Sequence, residues 1–547
     1  MACFEIKDID LAARIGKLKT RHGVLETPYI FPVIDPTLKN QIVGLDEIRS
    51  IGFNGIITNA YLLKKNLKTV ESIHERLNFD GIIMTDSGAY QILRYGHVET
   101  SNREIVQYQC DIGSDIGVIL DMPTPYYVTR ENALKSAEIT LNRAIEVSDI
   151  INSCRETLWV LPIQGGTHLD VLSYYARRST EIFGYGYSIY ALGSPTTLLE
   201  NYILDKVVDM VYTVRSSVEP SRPLHLFGAG HPLIIPFVVA LGVDLMDSAS
   251  YILYAKDKRY ITRRATYRLD ELQYLPCSCP ICSKYTAEEL REIPGNEVTK
   301  LLALHNLYTL YAELKEIKEC IKEGRLWEYL EEKARAHPAG RRAFEAVKKY
   351  LAYIYSRAPY SKPRGKGVFI VSEDSVYNPK ILIPRRKIIE NMTPEKEHIV
   401  FIPLRRPYET SHYYTAEPVH TPSNERCIEI TASSSYDIYL YHPVLGIVPK
   451  HLLDTYPFSQ FETFTLYRPE LVKTLVYTLI EFVLLASRAR RSLKVHVIVN
   501  DDTEWQRMFA VHLKHHVKIL RSKGIEFHLI ENNAKRVTSE LDDQHLI

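Results

Sequence analysis

The sequence lacks any uncharged apolar run long enough to cross a membrane and any marked excess of charge of one sign. Its longest apolar stretch, residues 471–487, contains Lys473 and Glu481 and falls short of a bilayer span, so we expect a buried amphipathic helix there. Lysine plus arginine number 67 and aspartate plus glutamate 66, so the net charge of +1 provides no global basic field for nucleic acid and leaves a local patch open. The N-terminus also lacks the basic and then apolar regions of a signal peptide. These absences predict a cytoplasmic protein without membrane contact.

Cysteine is scarce as well, and its distribution does not suit a disulfide framework. Of the eight cysteines, three fall within residues 277–282 and five are scattered. A secreted disulfide scaffold would have denser and better paired cysteines, so a reducing compartment and a metal site fit this pattern better.

The clustered cysteines have the spacing of a zinc site. Cys277, Cys279 and Cys282 form a C-x-C-x2-C turn, and thiolates on a tight turn can face one ion. A closed tetrahedral zinc site needs a fourth protein ligand, and His305 on the next helical stretch is the natural one. We therefore predict one structural Zn2+ per chain. The alternative is three buried thiols and a capped core histidine.

Eight short, nearly continuous apolar runs follow one another between about residues 30 and 250, as expected for strands buried on both faces. Amphipathic helical segments such as 129–150 and 196–215 separate them. Eight strands with helical crossovers predict an α/β fold, the (β/α)8 or TIM barrel, with a doubly wound sheet as the alternative. The predicted strands are residues 31–34, 55–59, 81–87, 116–121, 158–165, 188–193, 223–228 and 241–247.

Polar residues or glycines stand at the C-terminal ends of these runs, which favours the barrel. In a barrel those ends meet at one mouth, where the catalytic residues of such enzymes lie. By contrast, Asp115 and Asp244 come earlier, and a capping role is the better interpretation for them. The residues predicted at the mouth are Asn59, Asp86 with Ser87, Asp121, Gln164, Gly193, Gly228 and Asp247.

Two carboxylates at one mouth suit chemistry at an acetal-like carbon. One can attack to form a covalent intermediate while the other protonates the leaving group. The small residues after Asp86 would let a flat ligand approach the backbone, with Tyr90 stacking on it and Gln164 hydrogen bonding to its edge. The residues thus favour base exchange narrowly over sugar hydrolysis.

The chain downstream of the barrel changes character several times. A charged helical stretch follows the cysteines, then a basic stretch rich in Pro and Gly, then a second run of alternating strands and helices. The basic residues of Lys348–Lys387 either contact phosphates or belong to a solvated linker. The predicted domains are a catalytic barrel at 1–270, a zinc-binding helical subdomain at 271–355, a basic linker or small module at 356–395 and a smaller α/β domain at 396–547.

Six blocks of this sequence resemble the archaeal tRNA-guanine transglycosylases, in collinear order over about residues 5–330. They are "TDSGAYQ", "IGSDIGVILDMPTP", "LPIQGG", "HLFGAGHP", "GVDLMDSASYILYAKDKRY" and "CSCPICSKY…LLALHN". A weaker resemblance covers about 396–530, where "IPLRRPYETSHYY" and "YHPVLGIVPKHLLDTYP" are similar to the α/β domain that follows the barrel in archaeosine-pathway proteins.

The resemblance implies replacement of guanine at position 15 of the tRNA D-arm by 7-cyano-7-deazaguanine (preQ0) through a covalent ping-pong exchange, a step towards archaeosine. Asp247 corresponds to the nucleophile and Asp86 to the acid and base, although the reverse assignment stays open. The remaining implied roles concern the base: Asp121 on its N1 and exocyclic amine edge, Gln164 with the Ala191–Gly193 backbone on its carbonyl side, Tyr90 stacking, and Ser87 close by.

Two departures from the family pattern affect these expectations. Ser194-Pro195 stands where many relatives have a second glycine, which puts the backbone contacts to the base in doubt. The residues from 531 are too few and too polar for the RNA-binding PUA module of many relatives, so tRNA binding would rely on other domains or on a separate PUA-bearing chain. A homodimer is also left open.

Three other functions stay open: a non-catalytic tRNA-binding subunit, a paralogue that modifies preQ0 already in tRNA, and a sugar hydrolase. The first would be favoured by loss of Asp86 or Asp247, and the second by loss of the block "DLMDSAS"; all are present. The cysteine cluster and the Tyr90 and Gln164 pair argue against the third.

Overall fold

The computed structural model describes residues 3–66, 72–359, 361–404, 436–463, 468–489, 492–500 and 503–532. The chain divides into two compact units, Met1–Pro359 and Tyr360–Ile547. In the ranges described, no helix is both long and apolar enough to cross a membrane.

The first unit contains the eight-stranded parallel barrel that the sequence predicts. Each strand pairs with the next along the chain from β5 to β11, and β11 pairs with β4. A bridge between Val33 and Ile57 joins the remaining edges. The strands are β4 (Tyr29–Pro32), β5 (Gly55–Asn59), β6 (Ile82–Asp86), β7 (Ile116–Val118), β8 (Leu158–Ile163), β9 (Tyr187–Leu192), β10 (Leu224–Leu226) and β11 (Leu245–Ser248), after an antiparallel sheet of β1 (Phe4–Asp10), β2 (Ala13–Thr20) and β3 (Gly23–Thr27).

Burial follows the sequence pattern along these strands. In β6, the residues from Ile82 to Thr85 are buried, and only the terminal Asp86 is partly accessible. In β5, the same change comes at Asn59. Because all eight strands run in parallel, their polar C-terminal residues lie at one end of the barrel, the mouth.

Helices connect the barrel strands and cover them. Those between β4 and the end of the barrel are α1 (Leu45–Ile51), α2 (Ala60–Asn66), α3 (Ile73–Leu77), α4 (Tyr90–Tyr95), α5 (Asn102–Asp111), α6 (Arg130–Glu146), α7 (Ser148–Ser153), α8 (Leu169–Ile182), α9 (Thr196–Glu200), α10 (Leu204–Ser217), α11 (Ile235–Ala240) and α12 (Ser250–Lys256).

Asp115 and Asp244 lie at the opposite end of the barrel, the floor, and hold the starts of strands there. Asp115 accepts a hydrogen bond from the backbone N–H of Ile83 at 2.9 Å. Asp244 accepts one from the backbone N–H of Leu224 at 2.8 Å and another from the Arg14 guanidinium. Both residues thus make structural contacts at the starts of strands, away from the mouth.

A short hairpin and a group of helices complete the first unit. The 29-residue helix α14 packs against α12 and β12, the two elements that follow the last barrel strand. These elements are β12 (Arg259–Ile261), β13 (Thr266–Arg268), α13 (Ala287–Glu292), α14 (Gly295–Glu323), α15 (Leu326–Ala336), α16 (Pro338–Lys348) and α17 (Leu351–Arg357).

The first unit also contains a disulfide that nothing in the sequence predicted. Cys110 in α5 is bonded to Cys154, which follows α7, across 44 residues of sequence. The sequence pattern, which favoured a reducing compartment and a metal site over a disulfide framework, gave no indication of this bond.

The second unit is built around a five-stranded mixed sheet of order β17-β16-β15-β19-β20, with β14 and β18 paired separately. The predicted apolar helix at 471–487 is observed and buries one face. Within the second run of strands and helices that the sequence predicts, the stretch "IEITA" (428–432), which has the pattern of a strand, lies outside the described residues, as does most of the segment from 531. The elements are β14 (Val368–Ile370), α18 (Pro379–Asn391), β15 (His398–Pro403), β16 (Tyr436–His442), β17 (Gly446–Pro449), β18 (Phe461–Thr463), α19 (Pro469–Ala489), β19 (Lys494–Asn500), α20 (Glu504–Ser522) and β20 (Glu526–Asn532).

Candidate active site

Asp86, Asp121 and Asp247 lie close enough at the mouth for their charges to interact. Burial of the Asp86 carboxyl raises its pKa to about 7, and the carboxylates of Asp121 and Asp247 add to the rise. The backbone N–H groups of Gly88 and Ser87 oppose it in part. A carboxyl with this pKa can both donate and accept a proton near neutral pH, which suits a general acid and base.

The Asp247 carboxylate is held by two donors on one oxygen. His225 Nε2 lies 2.9 Å from Oδ1, and the backbone N–H of Gly228 lies 3.0 Å from the same atom. A carboxylate oxygen cannot donate, so the imidazole proton must be on Nε2. Gly228 adopts a left-handed backbone with a φ of 73°, which glycine tolerates and which aims its N–H at the carboxylate. Among the residues that the structure describes, no donor contacts the second oxygen of Asp247, so it is open to another contact.

Asp121 and Gln164 form a buried pair at the same mouth. The Gln164 amide nitrogen donates to Asp121 Oδ2, and both side chains are almost fully enclosed. Burial raises the pKa of Asp121 to about 6, while the Gln164 hydrogen bond lowers it in part. The pair therefore presents an acceptor and a donor next to one another, the complement of a polar ring edge.

The other predicted pocket residues differ widely in exposure. Ser87 is fully buried, and its hydroxyl has no hydrogen-bond partner among the residues that the structure describes. Tyr90 begins α4 and is 47% exposed, so its ring is free to stack on a ligand. Ala191 and Gly193 lie in and just after β9, and a side chain at Gly193 would come within 2.2 Å of the Gln164 amide nitrogen. Any residue other than glycine there would force the Gln164 amide to move.

A second ring of contacts surrounds Gln164. Its Oε1 lies 3.0 Å from the Ser194 hydroxyl and 3.2 Å from the backbone nitrogen of Thr124. Ser194 has a φ of 62°, so it takes the left-handed backbone that a glycine would allow. The backbone at this serine thus adopts a conformation that glycine favours, and the hydroxyl has two partners.

The structure brings the predicted metal ligands together. Cys277, Cys279, Cys282 and His305 place one ligand atom each within 4.8 Å of one another. His305 Nδ1 lies 3.5 Å and 3.3 Å from the sulfurs of Cys279 and Cys282. Tetrahedral zinc with such ligands has ligand-to-ligand distances of about 3.5–3.8 Å, so the group fits that ion.

The environment of His305 also suits metal binding. Its Nε2 lies 2.8 Å from the carbonyl oxygen of Ile261, so Nε2 carries the proton and Nδ1 turns its lone pair towards the cysteines. The ring of Tyr260 stacks on the imidazole at 3.6 Å, and its hydroxyl lies 3.2 Å from the Cys282 sulfur. These contacts fix the orientation of the histidine ligand and place a hydroxyl beside one of the sulfurs.

Comparison with known proteins connects this site to one family. A family model described as queuine tRNA-ribosyltransferase (TGT) matches residues 9–339. The tRNA-guanine(15) transglycosylase of Saccharolobus solfataricus is 47% identical over 465 residues, which cover 84% of this chain and 90% of the relative. The enzymes of the same name from Sulfolobus acidocaldarius and Pyrococcus furiosus are 43% and 42% identical, covering 84% and 85% of this chain and 88% and 71% of the relatives.

The chain belongs to the tRNA-guanine transglycosylase family. As a member it is an enzyme of the tRNA-ribosyltransferase type. Asp86, Asp121, Asp247 and the four metal ligands all fall within the part that the family model matches.

Sequence reasoning missed several residues of this transglycosylase site. His225 stands inside a predicted strand, and a lone histidine in an otherwise apolar run was the available hint. Thr124 and Ser194 lie in loops and contact Gln164 through a backbone N–H and a hydroxyl, so no sequence pattern predicts their role.

A second group of possible metal ligands, at the floor of the barrel, was also missed. His22 Nδ1 and His74 Nε2 lie 3.0 Å and 3.1 Å from the two oxygens of Asp115. The three residues are far apart in sequence, which explains why spacing did not reveal them. They hold the turn between β2 and β3 against β7, away from the mouth.

Proposed function

We propose that this chain exchanges guanine at position 15 of tRNA for 7-cyano-7-deazaguanine, in the pathway to archaeosine, by a covalent ping-pong mechanism. One observation carries the proposal. A proton-exchanging carboxyl, Asp86, and a donor-held carboxylate, Asp247, interact at one barrel mouth in a chain 40–47% identical to enzymes named tRNA-guanine(15) transglycosylase.

In the first half of this mechanism, Asp247 is the nucleophile. Its free oxygen attacks C1′ of the ribose, the glycosidic bond breaks, and the bonding electrons leave with the base. Asp86, which holds its proton part of the time near neutral pH because its pKa is raised to about 7, gives that proton to the departing guanine. The contacts of His225 and Gly228 to the other oxygen orient Asp247 for this attack.

In the second half, the roles reverse. The Asp86 carboxylate takes the proton from the incoming deazaguanine, whose nitrogen then attacks C1′ and displaces Asp247. The raised pKa of Asp86 supports its assignment as the acid and base of the pair, because a carboxyl that holds a proton part of the time near neutral pH is a weaker nucleophile than an ionised one.

The base lies in the pocket beside these carboxylates. Asp121 reads its N1 and exocyclic amine edge, and Gln164 donates to its carbonyl oxygen with the Ala191–Gly193 backbone nearby. Tyr90 stacks on the ring, and Ser87 supplies the buried hydroxyl that has no partner among the described residues. A base in a folded tRNA must be extruded to reach this pocket, at a cost of a few kcal/mol.

Zinc is the ion we assign to Cys277, Cys279, Cys282 and His305. Four protein ligands close its coordination shell, so the ion would cross-link the turn to α14 and supply no chemistry to the exchange. The proposed partners are tRNA and the deazaguanine base, with either a separate PUA-bearing chain or a second copy of this chain assisting. We place the reaction in the cytoplasm.

The deciding experiment follows loss of label from tRNA. Transcript tRNA carrying labelled guanine is incubated with the protein and unlabelled preQ0, and retained label is counted. We expect release that depends on position 15, and no release with Asp86→Asn or Asp247→Asn. No exchange by the wild-type chain, alone or with a PUA-bearing protein, would refute the proposal and favour a non-catalytic subunit. A covalent tRNA adduct formed by Asp247→Ala would refute the nucleophile assignment.

A further inference from the structure

We infer that Ser194 and the backbone N–H of Thr124 lock the Gln164 amide in one orientation, and that this lock makes the pocket select a base with a carbonyl oxygen over one with an amino group there. The inference rests on the proposed function, because it assigns the base specificity of that site. Ser194 is a positioning residue, since it acts through Gln164.

The lock consists of three residues from three different loops. Thr124 follows β7, Gln164 follows β8 and Ser194 follows β9. The backbone N–H of Thr124 donates to Ser194 Oγ at 2.9 Å and to Gln164 Oε1 at 3.2 Å. Because the Ser194 oxygen accepts from Thr124, its own proton is available for Gln164 Oε1, 3.0 Å away.

Donor and acceptor chemistry permits one orientation of the amide. The atom of Gln164 that faces Thr124 must be an acceptor, because a backbone N–H can only donate. The atom that faces Asp121 must be a donor when that carboxyl is ionised. A flipped amide would set its NH2 against the Thr124 N–H and its oxygen against the Asp121 carboxylate, which costs both contacts.

Ser194 has a backbone conformation that is unfavourable for serine, so its hydroxyl must offer a compensating contact. A φ of 62° is unfavourable for residues other than glycine, asparagine and aspartate, and glycine would take it without cost. The serine gains the two hydrogen bonds to Thr124 and Gln164, which a glycine could not make. At this position, serine therefore has a less favourable backbone conformation than glycine would have, and in return its hydroxyl helps to orient the Gln164 amide.

The locked amide presents only N–H groups to a ligand. One proton of Gln164 Nε2 goes to Asp121, and the other meets no acceptor in the part of the chain that the structure describes, so it can donate to a ligand. Guanine and 7-cyano-7-deazaguanine have an oxygen at C6, which accepts this hydrogen bond. 2,6-Diaminopurine has an amino group there, which would meet a second donor. The lock therefore favours 6-oxo over 6-amino bases.

The test uses Ser194→Ala and Ser194→Gly with guanine and 2,6-diaminopurine. Both variants lose the hydroxyl, but only the glycine variant also removes the unfavourable energy of a positive φ at this position. We expect the KM for guanine to increase about fivefold, the effect of one hydrogen bond, with kcat for exchange unchanged. The inhibition constant of diaminopurine divided by the KM for guanine should fall by a similar factor in both variants. Asn78→Gly, at an exposed left-handed position that caps α3, is the control and should change neither quantity.

The outcomes separate the inference from the proposed function. If the wild-type chain exchanges guanine and both variants keep its base preference, the lock is wrong and the function stands. If Ser194→Ala alone alters the preference, backbone strain rather than the hydroxyl is responsible, and the inference fails. Calorimetric titration of the free bases applies the same test without turnover. An unchanged affinity ratio there overturns the lock even if exchange is never observed.

Discussion

Asp86 is costly to ionise, because its carboxyl is mostly enclosed by protein, with only part of the residue accessible, and it faces two other carboxylates. In the unfolded chain the same group titrates near 3.8, whereas in the folded chain its pKa is about 7. Both states hold the proton below pH 3.8. Between these values only the unfolded chain releases it, so the contribution of Asp86 to stability falls as the pH rises and levels off above about 7.

Replacing Asp86 with Asn should therefore stabilise the protein while abolishing exchange. At pH 8 the free energy of unfolding should increase, by up to about 4 kcal/mol if the full shift is realised, and near pH 4 the gain should vanish. Denaturant titration at the two pH values measures this. Asp149→Asn is the opposite control. The Arg103 guanidinium lowers the pKa of exposed Asp149 to about 2, so its loss should destabilise at pH 8. A pH-independent effect of Asp86→Asn would show that the cost of ionising the buried carboxyl is not the cause.

His225 should control the rate of the covalent step rather than base binding. It donates to one oxygen of Asp247, and a hydrogen bond to a charged group contributes about 1.5–3 kcal/mol. We expect His225→Leu to slow adduct formation about 10- to 100-fold with little change in guanine affinity. Rapid-quench measurement of the tRNA adduct gives the rate. His225→Gln, which keeps an N–H donor, should recover part of the lost rate. Equal rates of adduct formation in the two variants would show that the loss comes from altered packing and not from the hydrogen bond.

At the scale of elements, the barrel was predictable because its strands are buried on both faces and end in polar residues. The end of the strand predicted at 116–121 was not predictable in this way. The structure ends β7 at Val118, whose N–H and carbonyl are bonded by the Gln109 side chain instead of a neighbouring strand. Two residues further on, the Asn102 side chain accepts a hydrogen bond from the backbone N–H of Leu120, and Arg143 donates one to the carbonyl oxygen of Leu120. Such side-chain substitutes for ladder bonds depend on residues distant in sequence, and residue order alone does not reveal them.

The site was predictable to a similar extent and for a similar reason. Asp86, Asp121 and Asp247 end apolar runs, so the pattern points to them directly. His225, Thr124 and Ser194 work through contacts between different strands and loops. Those contacts exist only once the barrel has closed.

The metal-binding turn should stabilise the first unit through α14. His305 lies on that helix, so an ion would tie the turn of the cysteines to an element that packs on the barrel. Cys279→Ala should remove one zinc per chain and reduce the free energy of unfolding by about 3 kcal/mol or more. Elemental analysis and thermal unfolding measure both. Cys320→Ala, a free cysteine on the same helix, is the matched control; zinc content that survives in Cys279→Ala would exclude the site.

For the whole molecule, the division into two units has a direct consequence for the site. Every candidate catalytic, pocket and metal residue lies in the unit that ends at Pro359. We expect a fragment of residues 1–359 to fold, to retain one zinc and to bind free guanine within about twofold of the full chain. Calorimetry and elemental analysis test this. A fragment that folds but no longer binds guanine would mean that residues beyond 359 complete the pocket.

The bond between Cys110 and Cys154 gives part of this molecule the topology of a ring rather than a line. The ring contains β7, the loop with Asp121 and Thr124, and α6. Tyr127, 83% exposed, lies in the same closed segment and is accessible to a protease. A single cut there would leave one covalent molecule, which separates into two chains only on reduction. The loop that carries Asp121 would thus stay attached at both sides of a break in its own backbone.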